Sequence, residues 1–145
     1  MGNKKTITTQ GFTLIEAMFT VAIISIIAMI AVPSYMDSVN KAKRSEANQF
    51  LMEAAVEQEK FFIKNGTYTQ DVTSASGLNF GSNYSNNQNY TLTVAAGPTG
   101  SITTSFELVA TNAGGTDASC AKIYLNSQSK KYATNSDGAQ STECW

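Results

Sequence analysis

Few side chains in this 145-residue chain can do chemistry, and their spacing narrows what that chemistry is. Glu16 is a lone carboxylate near the start of an apolar stretch, "QGFTLIEAMFTVAIISIIAMIAVP", residues 10–33. Just before it lies the small residue Gly11 and, further back, the cations Lys4 and Lys5. A cut between Gly11 and Phe12 would create a new cation, the Phe12 α-amine. On one helix that amine and Glu16 are four residues apart and close enough to interact. A neighbouring copy shifted along its axis can equally offer its own Glu16 to this amine. The alternative leaves Glu16 as a solvated flank at headgroup level. Cys120 and Cys144 are the two thiols, too few for a four-ligand zinc site when the chain has no histidine. The missing histidine also removes the commonest general base. With no nucleophile–base pair or phosphate loop, the residues indicate no catalytic site, metal or cofactor.

Ten basic against eleven acidic residues leave the chain near neutral, so net charge creates no strong attraction to nucleic acid. Asp117 and Asp137 are too sparse for a calcium site. Asn65-Gly66-Thr67, Asn83-Tyr84-Ser85 and Asn89-Tyr90-Thr91 match a glycosylation pattern, but Asn-rich turns explain them better.

The elements that must position these groups begin with a membrane-length helix. From Ala17 to Met36 run 20 uncharged residues, enough to cross about 30 Å of hydrocarbon. The stretch is too long for a signal h-region and no small-x-small cleavage site follows it. Lys4 and Lys5 ahead of it predict a cytoplasmic N-terminus. Pro33 should kink or loosen the helix, either as a tolerated membrane proline or as a weak point that allows stretching during packing. Helical periodicity then continues, with Ala47, Phe50, Leu51, Ala54, Gln58, Phe61 and Phe62 on one face. Asn65-Gly66 is a stop signal. One helix from about Phe12 to Lys64 follows, about 80 Å long. Lys41, Lys43 and Arg44 read as a solvated face of it. Binding to anionic lipid is the rival reading, and pairing with acidic residues of a neighbour is a third.

Residues 66–88 read as an irregular connection with Tyr68, Leu78 and Phe80 as pins into a core. "NYTLTVAA" and "SITTSFELVAT" alternate as strands, with Tyr90, Leu92 and Val94 facing one way and Ile102, Thr104, Phe106, Leu108 and Ala110 doing the same. "AKIYLNS" and "KKYAT" form a weaker pair. The predicted fold is α+β: a long N-terminal α-helix, transmembrane then amphipathic, packed on a four-stranded antiparallel sheet. The domain lies outside the cytoplasmic membrane, where Cys120 and Cys144 can oxidise. Their bond would close a loop of about 25 residues and stabilise by roughly 3.5 kcal/mol. Two free thiols are the alternative. Lys130, Lys131 and Tyr132 inside that loop make a small patch for DNA, with the tyrosine available for stacking, or else a solvated strand end; the second is favoured.

The leader "KK…TTQ", then "GFTLIE", a long apolar helix and Pro33 resemble the class III signal of type IV pilins, over roughly residues 4–65. The resemblance implies cleavage after Gly11 by a membrane prepilin peptidase and N-methylation of Phe12. It implies that Glu16 guides subunit docking, that Pro33 is the family's helix proline and that Cys120 and Cys144 form the C-terminal disulfide. Ala17 stands where a large apolar residue is common and Ser25 where a glycine is. The implied domains are a leader over 1–11, a transmembrane and filament-core helix over 12–36, and a globular domain over 37–145. The ending "CW" and the cysteine spacing look most like type IVa minor pilins. The implied function is a structural, non-enzymatic subunit of a pilus used for adhesion, twitching motility or DNA uptake. Major pilin, type II secretion pseudopilin and DNA-binding competence pilin are alternatives, the cysteine pair counting against the pseudopilin. A membrane-anchored binding module that never polymerises is the rival from another class. The implied partners are other pilin subunits, the peptidase, an inner-membrane assembly platform and the inner membrane itself, left for the extracellular pilus on assembly. DNA is a partner the head's charge does not favour.

Overall fold

In a computed structural model that describes residues 11–115 and 117–145, helix α1 runs Leu14–Asn65. Thr13 caps it: its Oγ1 accepts from the Glu16 N–H at 3.3 Å, and its carbonyl accepts from Ala17 N at 3.2 Å. Thr13 and Glu16 thus stand at the ends of an S/T-x-x-E capping pattern. The helix ends at a glycine, where Gly66 takes φ 71° and donates its N–H to the Phe62 carbonyl at 2.8 Å. The expected bounds, Phe12 to Lys64, are thus met within two residues, and Pro33 lies inside the helix. The chain divides into two compact units, the first ending at Ser38 and the second running Val39–Trp145.

In the first unit the helix is long and apolar enough, by length and composition, to cross a membrane. Its hydroxyls bond back onto their own helix: Thr20 Oγ1 to Glu16 O at 2.7 Å and Ser25 Oγ to Val21 O at 2.8 Å. These two hydroxyls are thereby satisfied within the helix, as a hydrocarbon surrounding would require. Ser25 satisfies its hydroxyl in this way.

In the second unit the helix lays Ala47, Phe50, Leu51, Ala54 and Gln58 into the core. Gln58 is fully buried because its amide donates to Thr69 O at 2.5 Å and accepts from Thr69 N at 3.1 Å. Opposite lies an antiparallel sheet of five strands in sequence order: β1 Tyr90–Ala96, β2 Phe106–Asn112, β3 Lys122–Asn126, β4 Lys131–Thr134 and β5 Gln140–Ser141. Registers Leu92↔Ala110, Ala110↔Ile123 and Ile123↔Ala133 line one row of core residues across the first four strands. Leu78 is buried, while Tyr68 and Phe80 pack at the core's edge, so the three expected pins do anchor the 66–88 connection. Phe80 meets Phe50 edge-on at 5.6 Å, and Tyr68 meets Phe106 at 4.8 Å.

Two expectations need correction. The sheet has five strands, not four, because Ala133↔Ser141 and Thr134↔Gln140 add a short strand. Asn135 makes that hairpin: its Oδ1 accepts from Asp137 N and Ala139 N, and Gly138 takes φ 82°. Two residues are too few to show alternation. The second strand begins at Phe106 rather than Ser101, so Ile102 and Thr104 belong to the preceding loop. Ser105 N donates to Ser101 O at 3.0 Å, and Thr99 Oγ1 lies 2.6 Å from Ser105 Oγ. These bonds coil the segment before pairing can begin.

Candidate functional site

Residues 1–10, with Lys4, Lys5 and most of the expected leader, lie outside the described residues. Gly11 and Phe12 stand just ahead of the helix, and Phe12 is 80% exposed. Glu16 is exposed in the first turn, where a carboxylate also complements the helix dipole. Beyond it Leu14, Ile15, Met18, Phe19, Ile23 and Ile27 all stand well over half exposed. Such a surface demands lipid or other copies as cover.

The head carries a second constellation, which the sequence reading missed. Arg44, expected on a solvated face, is 13% exposed and pairs with Asp117, whose side chain is 2% exposed. The fork is bidentate: Nε to Oδ2 at 2.6 Å and Nη2 to Oδ1 at 2.9 Å. The third guanidinium nitrogen, Nη1, donates to Glu143 O at 3.2 Å, and Asn48 Nδ2 donates to Cys144 O at 3.1 Å. Between these anchors lies the Cys120–Cys144 disulfide, with the sulfurs 2.00 Å apart and the Cα atoms 5.7 Å apart. The Arg44 hydrogen bond holds the Asp117 carboxyl below its ordinary range against the opposing effect of burial. The same bond raises Arg44.

Glu46, two residues on, clasps the loop before β1. Its carboxylate accepts from Asn87 N at 2.9 Å, Asn87 Nδ2 at 3.2 Å and Asn89 Nδ2 at 2.7 Å. Burial pushes its carboxyl up, but hydrogen bonds from Ser85, Asn89 and Asn87 outweigh that and hold it at about 2. A depressed carboxyl stabilises the fold above its unfolded value, and that contribution disappears as pH falls from about 4.5 toward 2. Glu46→Gln is expected to lower stability at pH 7 by roughly 1–3 kcal/mol and by less near pH 3. Urea unfolding at the two pH values checks this.

On the outer face of the sheet Tyr132 stacks on Tyr124, centroids 4.4 Å apart and planes 6° from parallel. Its hydroxyl donates to Glu107 Oε1 at 2.5 Å, and burial with that carboxylate raises its pKa. Lys131 Nζ sits 4.6 Å from the Trp145 ring centroid, and Trp145 Nε1 donates to Tyr132 O at 3.0 Å. Lys130 is exposed beside them. Of the three candidate DNA-patch residues, Lys131 and Tyr132 already have intramolecular partners. Among the described residues no group of three or more His, Cys, Asp or Glu side chains is placed to hold a metal.

Residues 33–124 match the family profile "Type IV minor pilin ComP, DNA uptake sequence receptor", and residues 8–32 match the prokaryotic N-terminal methylation motif. The first match covers more than half of the chain, which therefore belongs to the type IV pilin family, a family of structural subunits rather than enzymes. Over 88 residues the chain is 36% identical to the type IV major pilin protein PilA of Myxococcus xanthus, covering 61% of this chain and 39% of that protein. Over 66 residues it is 36% identical to the type IV major pilin protein PilE of Neisseria gonorrhoeae, covering 46% and 40%. The chain thus spans about two fifths of the length of these relatives. A solved type IV pilin from Shewanella oneidensis aligns at TM-score 0.48 with 20% identity, over 73% of this chain and 97% of the other.

Proposed function

We propose that the chain is a minor subunit of a type IV pilus. It enters the inner membrane with its N-terminus cytoplasmic, is cut between Gly11 and Phe12 by a prepilin peptidase, and is N-methylated on Phe12. The assembly platform then passes it into a fibre with other pilin subunits. In this reading residues 1–11 are the leader, 12–36 the membrane and filament-core helix, and 37–145 the head. The observation that carries it is the methylation motif over 8–32, which takes in the start of α1 and the apolar stretch 10–33, where Glu16 is the one carboxylate. A charged amine and carboxylate removed from water hold each other strongly, so Glu16 of one copy and the Phe12 amine of the next set the register of docking.

Glu16→Gln is expected to leave leader cleavage intact while cutting incorporation into sheared fibres about tenfold or more, the scale of one lost charge-assisted hydrogen bond. Gly11→Leu is expected to do the opposite, leaving the leader attached. Mature mass and the subunit content of sheared fibres measure both. Normal incorporation of the Gln variant would sink the charge-pairing reading, and normal export with no subunit in fibres would sink the filament reading.

The family description favours a second reading, in which the head is a receptor for DNA. Charge opposes it: from Asn65 onward three basic residues (Lys122, Lys130, Lys131) face five acidic ones (Asp71, Glu107, Asp117, Asp137, Glu143). Phosphate neutralisation needs the reverse balance. Full-length protein in detergent micelles is expected to show no submicromolar DNA binding near physiological salt. Such binding, lost in Lys130→Ala/Lys131→Ala, would establish the receptor reading instead.

A further inference from the structure

Cys120 and Cys144 sit in unlike surroundings. Cys120 closes a 3₁₀ turn, Ala118–Cys120, directly after Asp117, and Asp117 is held by Arg44 through two hydrogen bonds. Cys144 is the penultimate residue, on a tail with no strand beyond Ser141. That tail is nonetheless attached at three consecutive residues by groups other than sulfur. Arg44 holds the Glu143 carbonyl, Asn48 holds the Cys144 carbonyl, and Tyr132 O accepts from the Trp145 indole. Arg44 and Asn48 are four residues apart on α1 and so share one face of it. One guanidinium therefore grips the chain on both sides of the disulfide.

We propose that α1, through Arg44 and Asn48, is the template on which this disulfide closes. The tail docks on the helix before oxidation, and docking delivers the Cys144 sulfur to Cys120. The oxidant is an external disulfide, RSSR. The Cys144 thiolate attacks one of its sulfurs, forming Cys144–S–SR and releasing RSH. The Cys120 thiolate then attacks Cys144 Sγ, forming the internal bond and releasing the second RSH. Two protein thiols are oxidised and one RSSR is reduced. The second step needs the two sulfurs in contact, and both cysteines are all but fully buried in the closed state, 0% and 2% exposed. The undocked tail meets the oxidant; the docked tail excludes it and completes the exchange. Arg44 and Asn48 are positioning residues for that second step and touch neither sulfur in any hydrogen bond described.

The test uses the full chain, reduced in detergent micelles and reoxidised with oxidised glutathione, with mixed disulfide and internal disulfide followed by mass. Asn48→Ala removes one neutral hydrogen bond and leaves the Arg44–Asp117 pair in place. It is expected to leave glutathione uptake unchanged and slow conversion of the mixed disulfide about fivefold. Arg44→Gln is expected to slow that conversion about tenfold or more. The Cys120→Ser/Cys144→Ser chain supplies an independent readout, because Trp145 is the chain's one tryptophan. Its emission is expected to match that of the oxidised protein and to move to longer wavelength than it when Asn48→Ala and Arg44→Gln are added. Conversion rates equal to wild type in Asn48→Ala and Arg44→Gln would overturn the proposal. So would a Trp145 emission already displaced from that of the oxidised protein in the cysteine-free chain with Arg44 and Asn48 intact.

Discussion

Arg44→Ala is expected to destabilise the head by about 3–5 kcal/mol, because it strands the Asp117 carboxylate, 2% exposed, without its counter-ion. Asp117→Ala strands the guanidinium and is expected to cost a similar amount. A domain of this size has about 5–15 kcal/mol in total, so either change removes a large share of it. Replacing both residues by apolar ones of similar volume is expected to recover most of the loss, since the pair's own desolvation penalty vanishes with it. The pH dependence has a definite sign. Asp117 sits below its ordinary carboxyl value, so its contribution is complete at neutral pH and is lost only as pH falls below about 4. Urea unfolding of the two single variants and the double replacement, at pH 7 and pH 3, measures all of this. A double replacement no more stable than the singles would contradict it.

The disulfide has the second large effect. With the cysteines 24 residues apart, Cys120→Ser/Cys144→Ser is expected to cost roughly 3.5 kcal/mol through the freed loop entropy of the unfolded chain. The loss is not expected to add simply to that of Arg44→Ala. The Arg44 guanidinium holds Glu143 O next to Cys144, so the two changes share a structural unit and should couple by about 0.5–3 kcal/mol. Unfolding free energies of the two variants and their combination form the cycle that measures the coupling. A coupling within error of zero would mean that the ion pair and the disulfide stabilise the head independently.

What local pattern encodes, the sequence determined. Twenty uncharged residues specify a membrane-length helix wherever they stand, because backbone hydrogen bonds in hydrocarbon must close within the segment. Ala47, Phe50, Leu51, Ala54 and Gln58 could be placed on one buried face from spacing alone, but of the two residues placed with them Phe61 is only half-buried and Phe62 is exposed. Even Gln58 belonged there, although its reason for being there, the reciprocal bonds to Thr69, is visible only in three dimensions. The disulfide was legible because two cysteines that the sequence reading placed outside the cytoplasmic membrane leave one pairing.

What the sequence could not decide was which charges meet. Arg44 stands in a basic run and reads as solvated, and Asp117 reads as one stray carboxylate. Their separation is 73 residues, and no periodicity spans it. Only the order β1-β2-β3-β4-β5 returns the chain after β2 to the helix face where Arg44 waits. The same holds for Tyr132, read as part of a solvated strand end or, less favoured, as a free stacking surface. The register Tyr124↔Tyr132 and the nearby Glu107 give its ring and hydroxyl partners from two other strands. The strand β5 and the late start of β2 were hidden for the opposite reason. They depend on one Asx turn and one hydroxyl network, events of a few residues that override alternation. Burial faces follow from local period, whereas ion pairs and stacked rings follow from register, and register is settled only when the whole sheet packs on the helix.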